Sequence, residues 1–287
     1  MTKVVKHNGH TIVEGVLQVR DLHVKGRLDL QGCTELAALP EGLRVDSFLN
    51  LEGCIALTAL PERLSVGGNL DLTGCVALAS LPDGMRLDGS LYLTDCTLLT
   101  ELPPGLSICG SLCLTGCTAL AALPNGMSVG GDLDLIGCTA LTALPSDLFV
   151  AGDVDLTNCI ALTMLLSRKN FYGSLILAGC AAINALPNGM RVGGSLLLHG
   201  CTGLTSLPMG LSVDETLCFE ELLIGYDRVI VTQTRLPETI STNVIGRRLG
   251  DVIGHWALSY RGIADRFIES VETDVDNDLV FHLENAE

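Results

Sequence analysis

One residue type returns along this chain on a fixed period. Cysteine recurs every 21 residues, at Cys33, Cys54, Cys75, Cys96, Cys117, Cys138, Cys159, Cys180 and Cys201. A period of roughly 20–50 residues is the signature of stacked repeats, in which each coil contacts only its neighbours. The sequence therefore predicts a solenoid whose coils are 21 residues long.

A single coil shows how this period becomes local structure. In the segment LPERLSVGGNLDLTGCVALASL, residues 60–81, the residues Leu70, Asp71 and Leu72 alternate between apolar and polar. Alternation with period two predicts a β-strand whose leucines point inward and whose polar residue points outward. Residues 64–66 predict a second, weaker strand, so each coil is expected to contribute to two ladders.

The residue before each cysteine is drawn from a narrow set. Its nine occurrences are Gly32, Gly53, Gly74, Asp95, Gly116, Gly137, Asn158, Gly179 and Gly200. Glycine, asparagine and aspartate adopt positive φ at the least cost, so this position predicts a left-handed turn at the end of the strand. The following cysteine is expected to point inward, as a small apolar side chain that helps satisfy the backbone groups of the turn.

Proline and a second glycine column complete the coil. Proline follows leucine at Pro40, Pro61, Pro82, Pro103, Pro124, Pro145, Pro187 and Pro208. Because proline fixes φ and lacks an N–H donor, a long regular helix is excluded from the return side of the coil. Glycine precedes the main strand, where it is expected to permit a bend, at Gly68, Gly89, Gly110, Gly131, Gly152, Gly173 and Gly194.

The combined pattern L-x-L-x-G-C-x-x-L-x-x-L-P resembles the leucine-rich repeat family, in its form with cysteine at the corner of the ladder. The short Leu-Pro-x-x-Leu element is similar to that of bacterial effector leucine-rich repeats. The resemblance covers roughly residues 20–219. It implies a leucine-rich-repeat β-solenoid of mostly strand and loop, with a parallel β ladder. It also implies protein recognition through a concave strand face.

Both ends of the chain depart from the repeat and predict caps. Residues 1–21 are expected to form an N-terminal cap, because Val4–His7 and His10–Val13 flank an Asn-Gly pair that is typical of a β-hairpin. Residues 22–219 hold about nine coils, and residues 220–287 are expected to form an α/β C-terminal cap.

Within residues 220–287 the apolar pattern predicts two helices and a closing strand. The first helix would carry on one face Ile240, Val244, Ile245, Leu249, Val252, Ile253 and Trp256. The second would carry Ile263, Phe267, Ile268 and Val271, and the strand is expected over Leu279–Leu283. Asp274, Asp276 and Asp278 have the spacing of a calcium loop. The glycine and glutamate that such a loop requires are missing, so no calcium site is predicted there.

The amino-acid composition limits which partners the chain is expected to bind and in which cellular compartment it is expected to lie. The net charge of −16 gives the chain no electrostatic reason to bind nucleic acid or an anionic membrane surface. No transmembrane helix and no export signal are expected, because no apolar run of the required length occurs. The regular cysteines indicate a reducing cytosolic environment. A bacterial effector would reach the cytosol of a host cell by a route other than signal-peptide export.

The outward positions of the main strands supply the candidate partner-binding residues. They are Asp71, Tyr92, Asp132, Asp134, Asp153, Asp155, Ile176 and Leu197. Asp132, Asp134, Asp153 and Asp155 fall on neighbouring strands, where like charges destabilise a sheet. Either a basic partner or a bound cation relieves this repulsion, or the acidic face is simply solvated and keeps the solenoid soluble. The adjacent apolar residues Ile176 and Leu197 suit a basic, amphipathic partner segment.

A second candidate site lies in the one internal coil that departs from the pattern. Leu166 replaces proline, and Arg168, Lys169 and Tyr172 follow, with Lys169 at a phase that leucine or methionine occupies elsewhere. Departures from a local rule mark functional or strained positions. A decayed repeat whose Lys169 extends outward explains the same residues, and both interpretations stay open.

Together these residues predict a protein–protein interaction module without catalysis, in the manner of a bacterial effector or host-interaction protein. No cofactor or metal is expected, because the Cys109 and Cys113 pair lacks a second pair of zinc ligands. One alternative is an enzyme-linked effector of ubiquitin-ligase type, with activity in residues 220–287 and Cys218 as its candidate nucleophile. Another alternative is a structural or cation-binding solenoid.

Overall fold

The computed structural model describes residues 3–165, 170–205 and 207–215 with their side chains. It also gives the backbone of Leu217–Cys218 and of two strands near the C-terminus. The repeat region folds into a β-solenoid of about nine coils. The described residues contain short strands, turns and connecting segments, and none of them lies in a helix. The described part of the chain accordingly offers no helix capable of crossing a bilayer.

An antiparallel sheet precedes the first coil. Val4–His7 pairs with His10–Val13, which pairs in turn with Val16–Gln18. The predicted hairpin is confirmed, and the third strand adds to it. The main-chain N–H of Ala37 in the first coil donates to the Gly15 carbonyl at 2.7 Å. This bond helps to fix the antiparallel sheet against the solenoid.

The larger ladder is a parallel sheet of ten strands, which we call the long sheet. Its strands are Leu28–Asp29, Leu49–Asn50, Leu70–Asp71, Leu91–Tyr92, Leu112–Cys113, Leu133–Asp134, Val154–Asp155, Leu175–Ile176, Leu196–Leu197 and Leu217–Cys218. Neighbouring strands pair one full coil apart, as Leu112 does with Leu133. Each phase of the repeat therefore becomes a column of side chains on the sheet.

The predicted second ladder is present, but it is divided into three short parallel sheets, and we call it the split ladder. The first sheet contains His23–Val24, Arg44–Val45 and Ser65–Val66. The second contains Arg86–Leu87, Ser107–Ile108, Ser128–Val129 and Phe149–Val150. The third contains Asn170–Phe171, Arg191–Val192 and Ser212–Val213. The second division falls in the coil whose sequence departs from the pattern.

The core lies inside the coils and runs along the whole solenoid. In the coil around Cys117, the long sheet contributes Leu112 and Leu114, the corner contributes Cys117, and the other sides contribute Leu120 and Val129. All five side chains are fully buried. Burying one leucine contributes roughly 1.5–3 kcal/mol. Because aromatic residues make up only 4% of the chain, stacked aliphatic side chains supply most of this stabilisation.

Two described strands lie in the C-terminal region. Ile268–Thr273 pairs antiparallel with Leu279–Leu283, so the predicted closing strand is confirmed. The predicted helix that included Ile268 and Val271 is wrong. The segment Ile-Glu-Ser-Val-Glu-Thr contains three β-branched residues and finds a strand partner, and this outweighs the helical spacing of four apolar residues. The other predicted helix and the aspartates of residues 274–278 lie outside the described residues.

Candidate functional site

The corner after each long-sheet strand has the predicted left-handed backbone. The residue before the cysteine has positive φ in all nine coils, including 59° at Asp95 and 61° at Asn158. The next coil carries glycine, and a Cβ at Gly116 would lie 2.2 Å from Oδ1 of Asp95. A Cβ at Gly179 would likewise lie 2.3 Å from Oδ1 of Asn158. A side chain at Gly116 or Gly179 would therefore require the side chain of Asp95 or Asn158 to shift.

The repeating cysteines form a column of buried hydrogen bonds, which we call the thiol column. Each thiol donates to a strand-end leucine carbonyl in the preceding coil, from Cys54, Cys75, Cys96, Cys117, Cys138, Cys159, Cys180 and Cys201. The distance from Cys117 Sγ to the Leu93 oxygen is 3.1 Å. Burial raises the pKa of the Cys117 thiol to about 12. Since the thiolate is the nucleophile and metal ligand, these cysteines are structural, as predicted.

In six coils the residue just before the long-sheet strand supplies a side-chain oxygen to the next coil. The side-chain oxygens of this set, which we call the acceptor column, come from Asn69, Ser90, Ser111, Asp132, Asp153 and Ser174. Oδ1 of Asp132 accepts the main-chain N–H of Asp153 at 2.9 Å. Oδ1 of Asp153 accepts that of Ser174 at 2.7 Å. These aspartates therefore have a structural role that the sequence analysis did not assign to them.

The glycines before the strands leave room for the acceptor column. A Cβ at Gly152 would lie 2.1 Å from Oδ1 of Asp132, and a Cβ at Gly173 would lie 2.4 Å from Oδ1 of Asp153. The chain does bend at these glycines, as predicted. However, none of them has positive φ. Glycine is therefore required here by the close approach of the preceding coil and not by a left-handed backbone.

The aspartates within the strands also accept main-chain hydrogen bonds. Oδ1 of Asp134 accepts the N–H of Ile136 at 3.0 Å, and Oδ1 of Asp155 accepts that of Thr157 at 2.9 Å. Asn50 forms the equivalent bond, at 3.0 Å, at the same phase of its own coil. The hydrogen bond therefore does not require a carboxylate, and the negative charges at Asp134 and Asp155 need a separate explanation.

The long sheet brings the predicted strand-face residues together. In register, Asp134 lies beside Asp155, Asp155 beside Ile176, and Ile176 beside Leu197. Tyr92 pairs with Asp71, on the other side of the acidic residues. Strand-face residues are half-buried at these positions, whereas Asp132 and Asp153 are exposed. We call the set Asp132, Asp134, Asp153 and Asp155 the acidic block.

The coils that carry the acidic block supply no positive charge of their own. Residues 87–167 contain no Lys, Arg or His, whereas they contain eight Asp or Glu residues. One oxygen of each carboxylate in the block accepts a main-chain N–H. Hydrogen bonds to a charged acceptor are stronger than neutral ones, so these donors partly stabilise the negative charges. The recurrence of only Asn, Ser and Asp at the acceptor column was the sequence signal for this arrangement.

Other polar groups lie close to the acidic block. Oγ1 of Thr115 donates to Oδ1 of Asp134 at 2.7 Å, and the half-buried thiol of Cys113 lies 3.2 Å from Oγ1 of Thr94. Within the part of the chain that the structure describes, no group of three or more His, Cys, Asp or Glu side chains could hold a metal ion. The hydroxyl oxygens of Thr94 and Thr115 thus lie on the same face of the long sheet as the carboxylate of Asp134.

The second candidate site is described only in part. Tyr172 is 62% exposed, and its ring lies against that of Phe149, with centroids 5.7 Å apart and planes inclined by 54°. Phe149 was missed in the sequence analysis, although its phase is held by serine or arginine in most other coils. Arg168 and Lys169 lie outside the described residues, as does the side chain of Cys218.

No protein-family model, curated protein or solved structure matches this chain at a significant level. The assignment as a repeat β-solenoid follows from the 21-residue period and the stacked parallel strands. Membership of the leucine-rich repeat family stays a resemblance carried by the motif.

Proposed function

We propose that this protein is a recognition module that binds a basic segment of a partner protein on the outward face of the long sheet. The observation that supports this most is the contiguous acidic block on coils without any cation. Parallel strands lie about 4.8 Å apart, so the block concentrates four carboxylates in a small area. Complementary charge on a partner would speed association and favour the correct register.

The residues beside the acidic block favour an amphipathic partner segment. Ile176 and Leu197 continue the same column on one side, and Tyr92 lies on the other. A partner whose basic residues contact the aspartates would thus bring apolar residues over Ile176 and Leu197. Burial of such apolar groups supplies affinity, while the charged pairs supply specificity.

The resemblance to leucine-rich repeats supports the same function, because that family recognises proteins through its strand face. A bacterial protein that meets a host partner in a reducing cytosol is the form of this function that the short repeat favours. Catalysis is not part of the proposal. The enzyme-linked alternative depends on Cys218 and residues 220–287, whose side chains lie outside the described residues.

The test is an affinity capture with a variant that removes the charges and keeps the hydrogen bonds. The variant carries Asp132→Asn, Asp134→Asn, Asp153→Asn and Asp155→Asn. Asn69 and Asn50 already accept the equivalent main-chain bonds at the two phases, so the variant is expected to fold. Wild type and variant are used as baits in a eukaryotic and a bacterial lysate.

A matched control removes the same number of negative charges elsewhere. It carries Glu62→Gln, Asp95→Asn, Glu101→Gln and Asp214→Asn, all at exposed positions outside the acidic block. We expect a partner that the wild type and the control retain and the block variant loses. The purified partner should bind the block variant at least about tenfold more weakly. Equal capture by all three baits would contradict recognition by the acidic block.

Addition of calcium distinguishes the cation-binding alternative. If the acidic block holds a divalent cation, calcium should raise the melting temperature of the wild type and of the control, but not of the block variant. If it is a site for a basic protein segment, calcium should leave all three melting temperatures unchanged relative to an equal ionic strength of sodium chloride.

A further inference from the structure

Two turns of this chain share one sequence but differ in their surroundings. Both read Leu-Pro-Asn-Gly-Met, at residues 123–127 and 186–190, and they occupy the same phase of the coil. Their glycines have nearly the same backbone, with φ of 70° at Gly126 and 72° at Gly189. The intrinsic chemistry of the two turns is therefore equal, and any difference in reactivity must come from the folded structure.

Asparagine followed by glycine is prone to lose ammonia. Glycine has no side chain to shield its main-chain nitrogen, which can attack the side-chain amide carbon of the asparagine. The nitrogen must give up its proton for this attack, and the amide must be free to rotate toward it. Asn125 and Asn188 are both exposed to water, which is the second reactant.

Two hydrogen bonds at the turn of Asn188 hinder this reaction. The main-chain N–H of Met209 donates to Oδ1 of Asn188 at 3.0 Å. The N–H of Gly189 donates to the carbonyl of Met209 at 2.7 Å. A carbonyl oxygen cannot take the proton from that nitrogen, and the asparagine side chain is fixed. Both hydrogen bonds must break before the attack can occur.

The turn at Asn125 has the opposite arrangement. The N–H of Gly126 donates to Oδ2 of Asp147 at 2.9 Å. A carboxylate at hydrogen-bond distance from a proton is placed to act as a general base for its removal. Among the described residues, the side-chain amide of Asn125 has no hydrogen-bond partner that would hold it. The same five-residue sequence thus has a carboxylate base beside its glycine N–H in one coil, whereas in another coil hydrogen bonds fix its asparagine and its glycine.

We propose that Asn125 is a modification site, converted to aspartate and isoaspartate in the folded protein with Asp147 as the general base. Asp147 accepts the Gly126 N–H proton while the Gly126 nitrogen bonds to Cγ of Asn125. The bond from Cγ to Nδ2 then breaks, and the proton leaves with ammonia, which restores the Asp147 carboxylate. Water opens the resulting cyclic imide at one of its two carbonyls, giving aspartate or isoaspartate. No oxidant or reductant is involved.

The product changes both charge and backbone at this turn. A new carboxylate appears beside Asp147, within the stretch of residues 87–167 that has no cation. Isoaspartate also routes the main chain through the former side chain, which lengthens the turn by one methylene. The modification therefore changes the turn on the return side of the coil, away from the acidic block on the strand face.

The experiment compares the two turns within one protein. The full chain is kept folded at neutral pH, and samples taken over time are digested with pepsin in acid. Trypsin is unsuitable because residues 87–167 contain no Lys or Arg, and acid suppresses further loss of ammonia. Liquid chromatography with mass spectrometry then separates asparagine, aspartate and isoaspartate at residues 125 and 188. A second series in denaturant measures the intrinsic rates.

We expect Asn125 to react about tenfold faster than Asn188 in the folded protein, and at the same rate in denaturant. Asp147→Asn keeps a hydrogen-bond acceptor and removes the base, so it should slow Asn125 about tenfold and leave Asn188 unchanged. Equal folded-state rates at the two sites would overturn the proposal without any variant. An unchanged Asn125 rate in a folded Asp147→Asn variant would overturn the role of Asp147.

Discussion

The long sheet and the split ladder are built from the same coils, yet one continues through ten strands while the other is divided into three sheets. Strands of two residues provide few backbone hydrogen bonds in either ladder. The long sheet adds the thiol column at its corner and the acceptor column at its entry. The split ladder has side-chain links between its coils too, from His23 to Asp46 at 2.7 Å and, in the turns that lead into its strands, from the main-chain N–H groups of Arg63, Gly126 and Met209 to Glu41, Asp147 and Asn188, but among the described residues these links do not recur in every coil. The long sheet therefore differs from the split ladder in having side-chain columns that recur from coil to coil.

High pH is expected to be the strongest test of this difference. Burial raises the pKa of Cys75 and Cys159 to about 12, whereas an unfolded thiol titrates near about 8.5. The folded thiol column keeps protons that the unfolded chain releases. Its stabilisation is therefore complete below about pH 8.5 and is lost as the pH rises toward about 12. In this window the contribution of each thiol to the free energy of unfolding falls by about 1.4 kcal/mol per pH unit.

The thiol column as a whole should lose on the order of 10 kcal/mol by about pH 10, which matches the entire stability of many domains. We expect cooperative unfolding in that range, measured by circular dichroism in the presence of a reductant. A control carries Cys96→Ala, Cys117→Ala and Cys138→Ala. Its free energy of unfolding should fall less steeply with pH. An equal slope in both proteins would assign alkaline unfolding to other groups.

Replacing Gly152 by alanine should be a damaging small substitution at the entry to the long sheet. The new Cβ would lie 2.1 Å from Oδ1 of Asp132 and 2.9 Å from the main chain of Gly131. Relief requires the acceptor column to shift, at a cost of about 3 kcal/mol. Gly84→Ala is the control, because its Cβ would meet nothing within 4 Å and only the positive φ of 67° is unfavourable. That control should cost about 1 kcal/mol in a urea unfolding experiment.

The difference between the two glycines shows where sequence reasoning succeeds and where it stops. The period, the left-handed corner with Asp95 and Asn158, and the inward cysteines follow from backbone preferences that a single coil reveals. The need for Gly152 does not, because it arises only when the preceding coil places the main chain of Gly131 and the side chain of Asp132 against it. Sequence reasoning likewise placed the acidic block correctly in space, but it did not find the main-chain donors that partly stabilise those charges.

Two substitutions at Asp132 separate the hydrogen bond from the charge. Asp132→Ala removes the acceptor for the N–H of Asp153 and should cost about 2 kcal/mol. Asp132→Asn keeps the acceptor and relieves repulsion within the acidic block, so its stability should equal or exceed that of the wild type. Hydrogen exchange at the amide of Asp153 measures the effect locally, which suits a repeat protein whose coils open separately. Equal protection in both variants would show that the acceptor column does not hold the coils together.

The smallest effect is expected in the split ladder, at Phe149. Its side chain is 44% exposed, and its contact with Tyr172 spans the division between two of the short sheets. Serine occupies the same phase at Ser107 and Ser128, so Phe149→Ser should be tolerated at a cost of about 1 kcal/mol, the usual value of one aromatic contact. Phe149→Leu, which keeps an apolar side chain, serves as its control. A loss of more than about 3 kcal/mol for the serine variant would exceed what a half-exposed ring contributes. The aromatic pair would then be holding the divided ladder together, and side-chain support would no longer distinguish the long sheet from the split ladder.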